Sequence, residues 1–162
     1  MICAIDIDIG EFTIVATDGR AAQYPAAIDT VVSKVPSDST VLIEVASPVF
    51  YHGDTKAAFT STARWMVWNA MAAGVLAASL RPKNCNVLVS PSSTWAMGYD
   101  EPTRHEMAGM KPESFKRFKR KGKDVVTPVY SKADGNHDIR ECKAMIWSYS
   151  VKPALWKPLW VY

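Results

Sequence analysis

The chain has 162 residues, 48% of them hydrophobic and 22% charged, enough for one packed core, so a single domain is expected. It holds no apolar run of 18 residues: the nearest candidate, residues 65–80, contains Asn69 and Ser79 and reads as a buried helix, not a membrane span. The net charge of +3 hides an asymmetry, with 3 Lys/Arg against 8 Asp/Glu over residues 1–60 and 16 against 8 over residues 61–162. An acidic first part and a basic remainder suit a metal site beside a polyanion-binding surface, although solvated charges give the same totals. Cys3, Cys85 and Cys142 are few, odd in number and without C-x-x-C spacing, which disfavours disulfides and zinc. No basic segment precedes the first apolar residues, so a cytoplasmic protein with no membrane attachment is expected.

Residues 2–9 alternate strand-forming apolar residues with acids, which puts Asp6 and Asp8 on one face of a first strand. Two like charges ~4 Å apart repel by about 4 kcal/mol at an effective dielectric near 20, and a divalent metal is the simplest group to offset them. Gly10 suits a tight exit from that strand. Residues 11–17 read as a second strand, Asp18-Gly19 as a hairpin turn, and residues 21–24 as a third strand. After Pro25, the spacing of Ile28, Val31, Val32 and Val35 predicts a short helix, ended by Pro36 and the turn Ser37-Asp38-Ser39. Residues 41–45 form a fourth strand with Glu44 inside an apolar run. Residues 55–80 predict the longest helix, whose mixture of small residues with Trp and Met fits core packing or a dimer interface. Residues 86–90 predict a fifth strand, stopped at Pro91.

From Ser92 to Asp134 regular pattern fades, and residues 96–134 read as a basic insertion. Residues 111–123 hold Lys111, Lys116, Arg117, Lys119, Arg120, Lys121 and Lys123, interleaved with Phe115 and Phe118. Cations with aromatics suit phosphate neutralisation and base stacking; a solvated loop is the plain alternative. Asn136 or His137 can cap a last helix over residues 138–150, with Ile139, Cys142, Ile146 and Tyr149 facing the core. Asp138 and Glu141, at i and i+3, are neighbours about 5–6 Å apart. Residues 151–162 form an aromatic, Pro-rich tail that cannot be helical throughout and straps onto the body or a partner.

The element order is three antiparallel strands, helix, strand, helix, strand, helix: an α/β chain with a mixed five-stranded sheet. With acids ending strands one and four and opening the last helix, it resembles the RNase H-like nuclease superfamily. Within that superfamily it is similar to the RuvC-type Holliday junction resolvases, especially the short phage and viral ones. Asp8-Ile9-Gly10 looks like their Asp-x-Gly, Ile43-Glu44 like their Ile-Glu, and Asp138-x-x-Glu141 like their closing acidic pair. Pro91-Ser-Ser-Thr-Trp95 is similar to a Pro-Trp stretch after strand five. The resemblance covers residues 1–150, with Glu141 standing where Asp is usual.

The resemblance implies a structure-specific DNA endonuclease that holds two Mg²⁺ ions, replaceable by Mn²⁺, and hydrolyses phosphodiesters. Asp8 would bridge the metals, Glu44 and Asp138, or His137 in its place, would each hold one, and Glu141 would complete the site. Asp6 would be a supporting acid, and His137 or Lys132 would orient water or phosphate. Members act as two-fold dimers on four-way junctions, here through the helix 55–80. Phe50 and Tyr51 are candidates for stacking on an unpaired base. Other readings are a nuclease for RNA–DNA hybrids or flaps, which needs the same acids, and an inactive DNA-binding module. An actin-like ATPase, which also opens with Asp-x-Gly, needs two such domains and more glycine than the 8 present.

Overall fold

The computed structural model describes residues 1–46 and 56–159, with the side chains of residues 56–62 left aside. Strand β1 (Ile2–Asp8) runs through Gly10, at φ +86°, into β2 (Glu11–Ala16), and Asp18-Gly19 turns the chain into β3 (Ala21–Pro25). Helix α1 (Ile28–Lys34) leads to β4 (Thr40–Val45). The long helix α2 (Lys56–Leu80) leads to β5 (Asn86–Pro91), and the single-turn α3 (Ser92–Trp95) follows at once.

The sheet order is β3-β2-β1-β4-β5, with β1, β2 and β3 antiparallel and β1, β4 and β5 parallel. This is the mixed α/β sheet expected from the sequence, and it is consistent with RNase H-like topology. The tail adds to it: β8 (Lys157–Pro158) pairs antiparallel with β5 and caps that edge as a sixth, two-residue strand.

Alternation along the strands divides the core between the two sheet faces. Cys3, Ile5 and Ile7 join Val41, Ile43 and the α1 and α2 residues Val31, Leu76 and Leu80. Ala4, Leu42 and Leu88 face the other way, against Trp95, Trp156 and the last helix, α5 (His137–Val151), through Cys142 and Met145. Asn136 caps α5, its Oδ1 accepting from Ile139 N at 3.0 Å. Asp6, Asp8, Glu44 and Ser90 therefore belong by parity to the α5 face, beyond the apolar part of each strand.

The stretch in which pattern fades is not a featureless loop. Asp100 accepts from Thr103 N and caps α4 (Glu101–Met107), with Pro102 in the first turn, where no N–H is needed. Strands β6 (Ser114–Arg120) and β7 (Lys123–Val129) then form a separate antiparallel ribbon. Periodicity missed the ribbon because neither face is buried, so no apolar/polar alternation marks it.

Candidate active site

Five carboxylates line one cleft of about 380 Å³: Asp6 and Asp8 from β1, Glu44 from β4, and Asp138 and Glu141 from α5. Strand register explains the convergence. Parallel pairing sets Ile5 level with Ile43, so Asp6 comes beside Glu44, and Glu44 in turn pairs with Ser90. On the other side Asp6 pairs with Thr13, and Thr13 with Gln23. A polar row thus crosses the sheet just beyond the apolar core, and the first turn of α5 closes over it.

Glu44 and Asp138 are each held by hydrogen bonds from other elements. Trp95 is fully buried under α5 and donates from Nε1 to Glu44 Oε2 at 2.8 Å. Its carbonyl accepts from Ser148 Oγ at 2.9 Å, and Trp156 stacks on it at 6.4 Å between ring centroids. The tail therefore helps hold the tryptophan that orients Glu44. From α2, buried Asn69 accepts from Ala46 N at 2.8 Å and donates to the Glu44 carbonyl at 3.2 Å, which fixes the end of β4. Gln23 donates to Asp138 Oδ2 at 3.0 Å and to Thr13 Oγ1 at 3.2 Å, and accepts from Asn136 Nδ2 at 2.7 Å.

Electrostatics separate the five. Burial pushes the Asp6 carboxyl up to about 6, with the charges of Asp138, Asp8 and Glu141 adding to it. Burial likewise raises Glu44 to about 7, with the charge of Asp6 adding to it and the Trp95 hydrogen bond opposing. Glu141 goes the other way: burial raises it, but hydrogen bonds from His105 and Arg104 outweigh this and hold it below the usual range. Arg104 Nε and Nη2 reach Glu141 Oε2 at 3.0 and 2.9 Å, and His105 Nε2 lies 2.7 Å from Oε1.

No protein-family model and no curated protein matches the chain.

The cleft's oxygen donors are of the kind a divalent cation takes. Asp6, Glu44 and Asp138 offer carboxylate oxygens, as hard cations require, and two of them are raised by burial and mutual repulsion. The buried Ser90 hydroxyl beside Glu44 has no hydrogen-bond partner among the described residues, as suits a place for ordered water or an ion. Glu141 fits a ligand role less well, because both its oxygens are engaged by Arg104 and His105. Among the described residues the one group of three whose ligand atoms lie within 4.8 Å of one another is Glu101, His137 and Glu141, which depends on that same engaged carboxylate; Asp6, Glu44 and Asp138 line the cleft without coming that close together.

The sequence-derived residues are distributed unequally. Asp8 stands at the exposed mouth of the cleft, its Oδ1 accepting from Ile9 N at 2.7 Å, while Asp6 holds the central place. His137 lines the rim and reaches Glu101 at 3.2 Å. Lys132 is exposed in a short 3-10 turn before α5 and does not line the cleft. Lys116, Arg117, Lys119, Arg120, Lys121 and Lys123 lie on the ribbon and its turn, and Lys111 is exposed just before it. Phe50 and Tyr51 lie outside the described residues. Sequence reasoning missed Gln23, Arg104 and His105. Asp100-Glu101-Pro102 is a helix-start pattern that the sequence reading did not use for the helix carrying Arg104 and His105, and nothing local signals their partner 36 or 37 residues away.

Proposed function

We propose that the chain is a metal-dependent nuclease of the RNase H-like type that cuts branched DNA, with the four-way junction as its substrate. The observation that carries this reading is the meeting of Asp6, Glu44 and Asp138, from β1, β4 and α5, in one cleft at the end of a mixed sheet. Asp6, Glu44 and Asp138 would hold Mg²⁺ or Mn²⁺, with Asp8 adding a ligand from the mouth. Such ions, when bound, activate water and offset charge on the phosphate under attack. Trp95 and Gln23 keep Glu44 and Asp138 aimed into the cleft. The Arg104 guanidinium offsets the charge of Glu141 while His105 holds its other oxygen, which limits the repulsion an incoming phosphate meets.

Helix α2 supports the two-fold partner such a substrate calls for. Val67, Met71 and Val75 are exposed at i, i+4 and i+8 with Trp68 beside them, an apolar stripe that fits a second copy of the chain. Among the described residues no helix is long and apolar enough to cross a membrane. A nuclease for RNA–DNA hybrids or flaps would use the same acids and differs only in substrate.

The test is cleavage of a labelled synthetic four-way junction beside matched duplex, flap and RNA–DNA hybrid, with Mg²⁺, Mn²⁺ or EDTA. Paired nicks in the junction that require metal and vanish in Asp6→Asn support the reading. Cutting of the hybrid or flap alone moves the function to the second reading. Binding without cutting of any substrate leaves a DNA-binding module and overturns the nuclease.

A further inference from the structure

The β6–β7 ribbon has charge on both of its faces. Cross-strand register sets Lys116 opposite Thr127, Phe118 opposite Val125 and Arg120 opposite Lys123 on one face. The other face pairs Phe115 with Pro128, Arg117 with Val126 and Lys119 with Asp124. Lys121 and Gly122 form the tip, with φ of +49° and +76°, as a two-residue type I′ turn requires. Every β6 residue is exposed, including Phe115 at 62% and Phe118 at 41%. Among the described residues none of the six ribbon cations makes an ion pair within 4 Å, and Asp124, opposite Lys119 in register, is the one acid on the two faces.

The root of the ribbon is tied to the cleft. Glu113 N donates to Val129 O at 2.8 Å, and Met110 N to His105 O at 2.9 Å. Tyr130, directly after β7, sets its hydroxyl 3.2 Å from His105 Nδ1 and lies under the Arg140 guanidinium at 4.3 Å. The ribbon therefore starts from the residues that hold Glu141, at the rim of the carboxylates. Seven residues per strand reach about 24 Å, over half of a ~34 Å helical turn of DNA.

A ribbon lying on a single duplex needs cations on one face only, since its other face looks at solvent. Two cationic faces, each with an exposed phenylalanine, can meet polyanion on both sides at once. An isolated two-stranded hairpin is marginal in water, and this one buries neither phenylalanine. We propose that the ribbon is a wedge between two duplex arms where they leave a branch point, with one face against the phosphates of each arm. This rests on the branched-DNA reading and adds the element that would distinguish a branch from a plain duplex.

The experiment uses the full chain in EDTA, so that nothing is cut, and measures binding to a labelled four-way junction and to a linear duplex over a salt series. One variant, K116A/R120A/K123A, strips the first face; another, R117A/K119A, strips the second. Each should weaken junction binding by about tenfold or more, and should shallow the log affinity against log salt slope by about 2.7 and 1.8 respectively. Linear duplex, which either face can serve, should lose no more than about threefold in each variant and far more when both faces are stripped. Loss from one face alone, with the other silent, would mean a ribbon lying flat on one duplex and would overturn the wedge. So would unchanged junction binding in both variants, with thermal melting confirming that they fold.

Cleavage by the unaltered chain is scored separately. If it cuts junctions while both face variants bind normally, the wedge fails and the nuclease stands. If it cuts nothing but both faces are needed for junction binding, the nuclease fails and the wedge stands.

Discussion

Replacing Asp6 by Asn should stabilise the metal-free protein at pH 8 and leave it nearly unchanged at pH 4. The carboxyl rises from 3.8 to about 6 on folding, through burial first and then through Asp138, Asp8 and Glu141. An acid whose folded value is raised binds more protons folded than unfolded, so stability falls as pH rises between the two values and levels off above the higher one. At about 1.4 kcal/mol per pH unit, the penalty above pH 6 approaches about 3 kcal/mol. Asparagine keeps the shape and removes the charge. It also relieves Glu44, on which Asp6 is the largest charge effect.

The quantity to measure is the difference between the two proteins in urea unfolding free energy, at pH 8 and at pH 4, in EDTA. That difference should be larger at pH 8 by about 2–3 kcal/mol, or about 5–10 °C in melting temperature for a chain of this size. Mg²⁺ should then raise the stability of the unaltered protein at pH 8 and do little for the variant. An equal difference at both pH values, or equal stabilisation of both proteins by Mg²⁺, would refute the placement of Asp6 at the centre of the cleft.

Glu141→Gln should destabilise by about 3–5 kcal/mol near pH 7, because it leaves Arg104 and His105 without their carboxylate. The folded value of Glu141 is lowered, so its contribution is present above the unfolded value near 4.5 and fades as pH falls below that. The loss seen by denaturant melts should shrink accordingly on acidification. Gly135→Ala should cost about 2 kcal/mol or more in the same assay. Gly135 has φ +84°, and an added Cβ would come within 2.6 Å of Ile139 Cγ2, just as α5 begins. Met71→Glu should convert a dimer to a monomer in light scattering with the melting temperature little changed, since Met71 is exposed on α2; an unchanged mass that is dimeric would move the interface elsewhere.

Most of the framework was legible in the residues. Strand-forming apolar residues marked β1, β2 and β4, whose apolar parts meet core on both faces of the sheet, and 3.6-residue spacing with the Asn136 cap marked α5. The chain also displayed the acids themselves, since a carboxylate inside an apolar strand, such as Glu44, is conspicuous wherever it lands. Three things needed the tertiary structure. Asp6 and Asp8 share a face by their two-residue spacing, so nothing local ranks them; the pairing of Ile5 with Ile43 puts Asp6 beside Glu44. Glu141 reads as a free ligand until α4, a distant element, brings Arg104 and His105 onto both of its oxygens. The tail reads as irregular until β5 offers an open edge and Trp95 a ring to stack on. Periodicity reports which side of an element meets the core, whereas register and long-range pairing depend on where the whole chain packs, and no short window contains that.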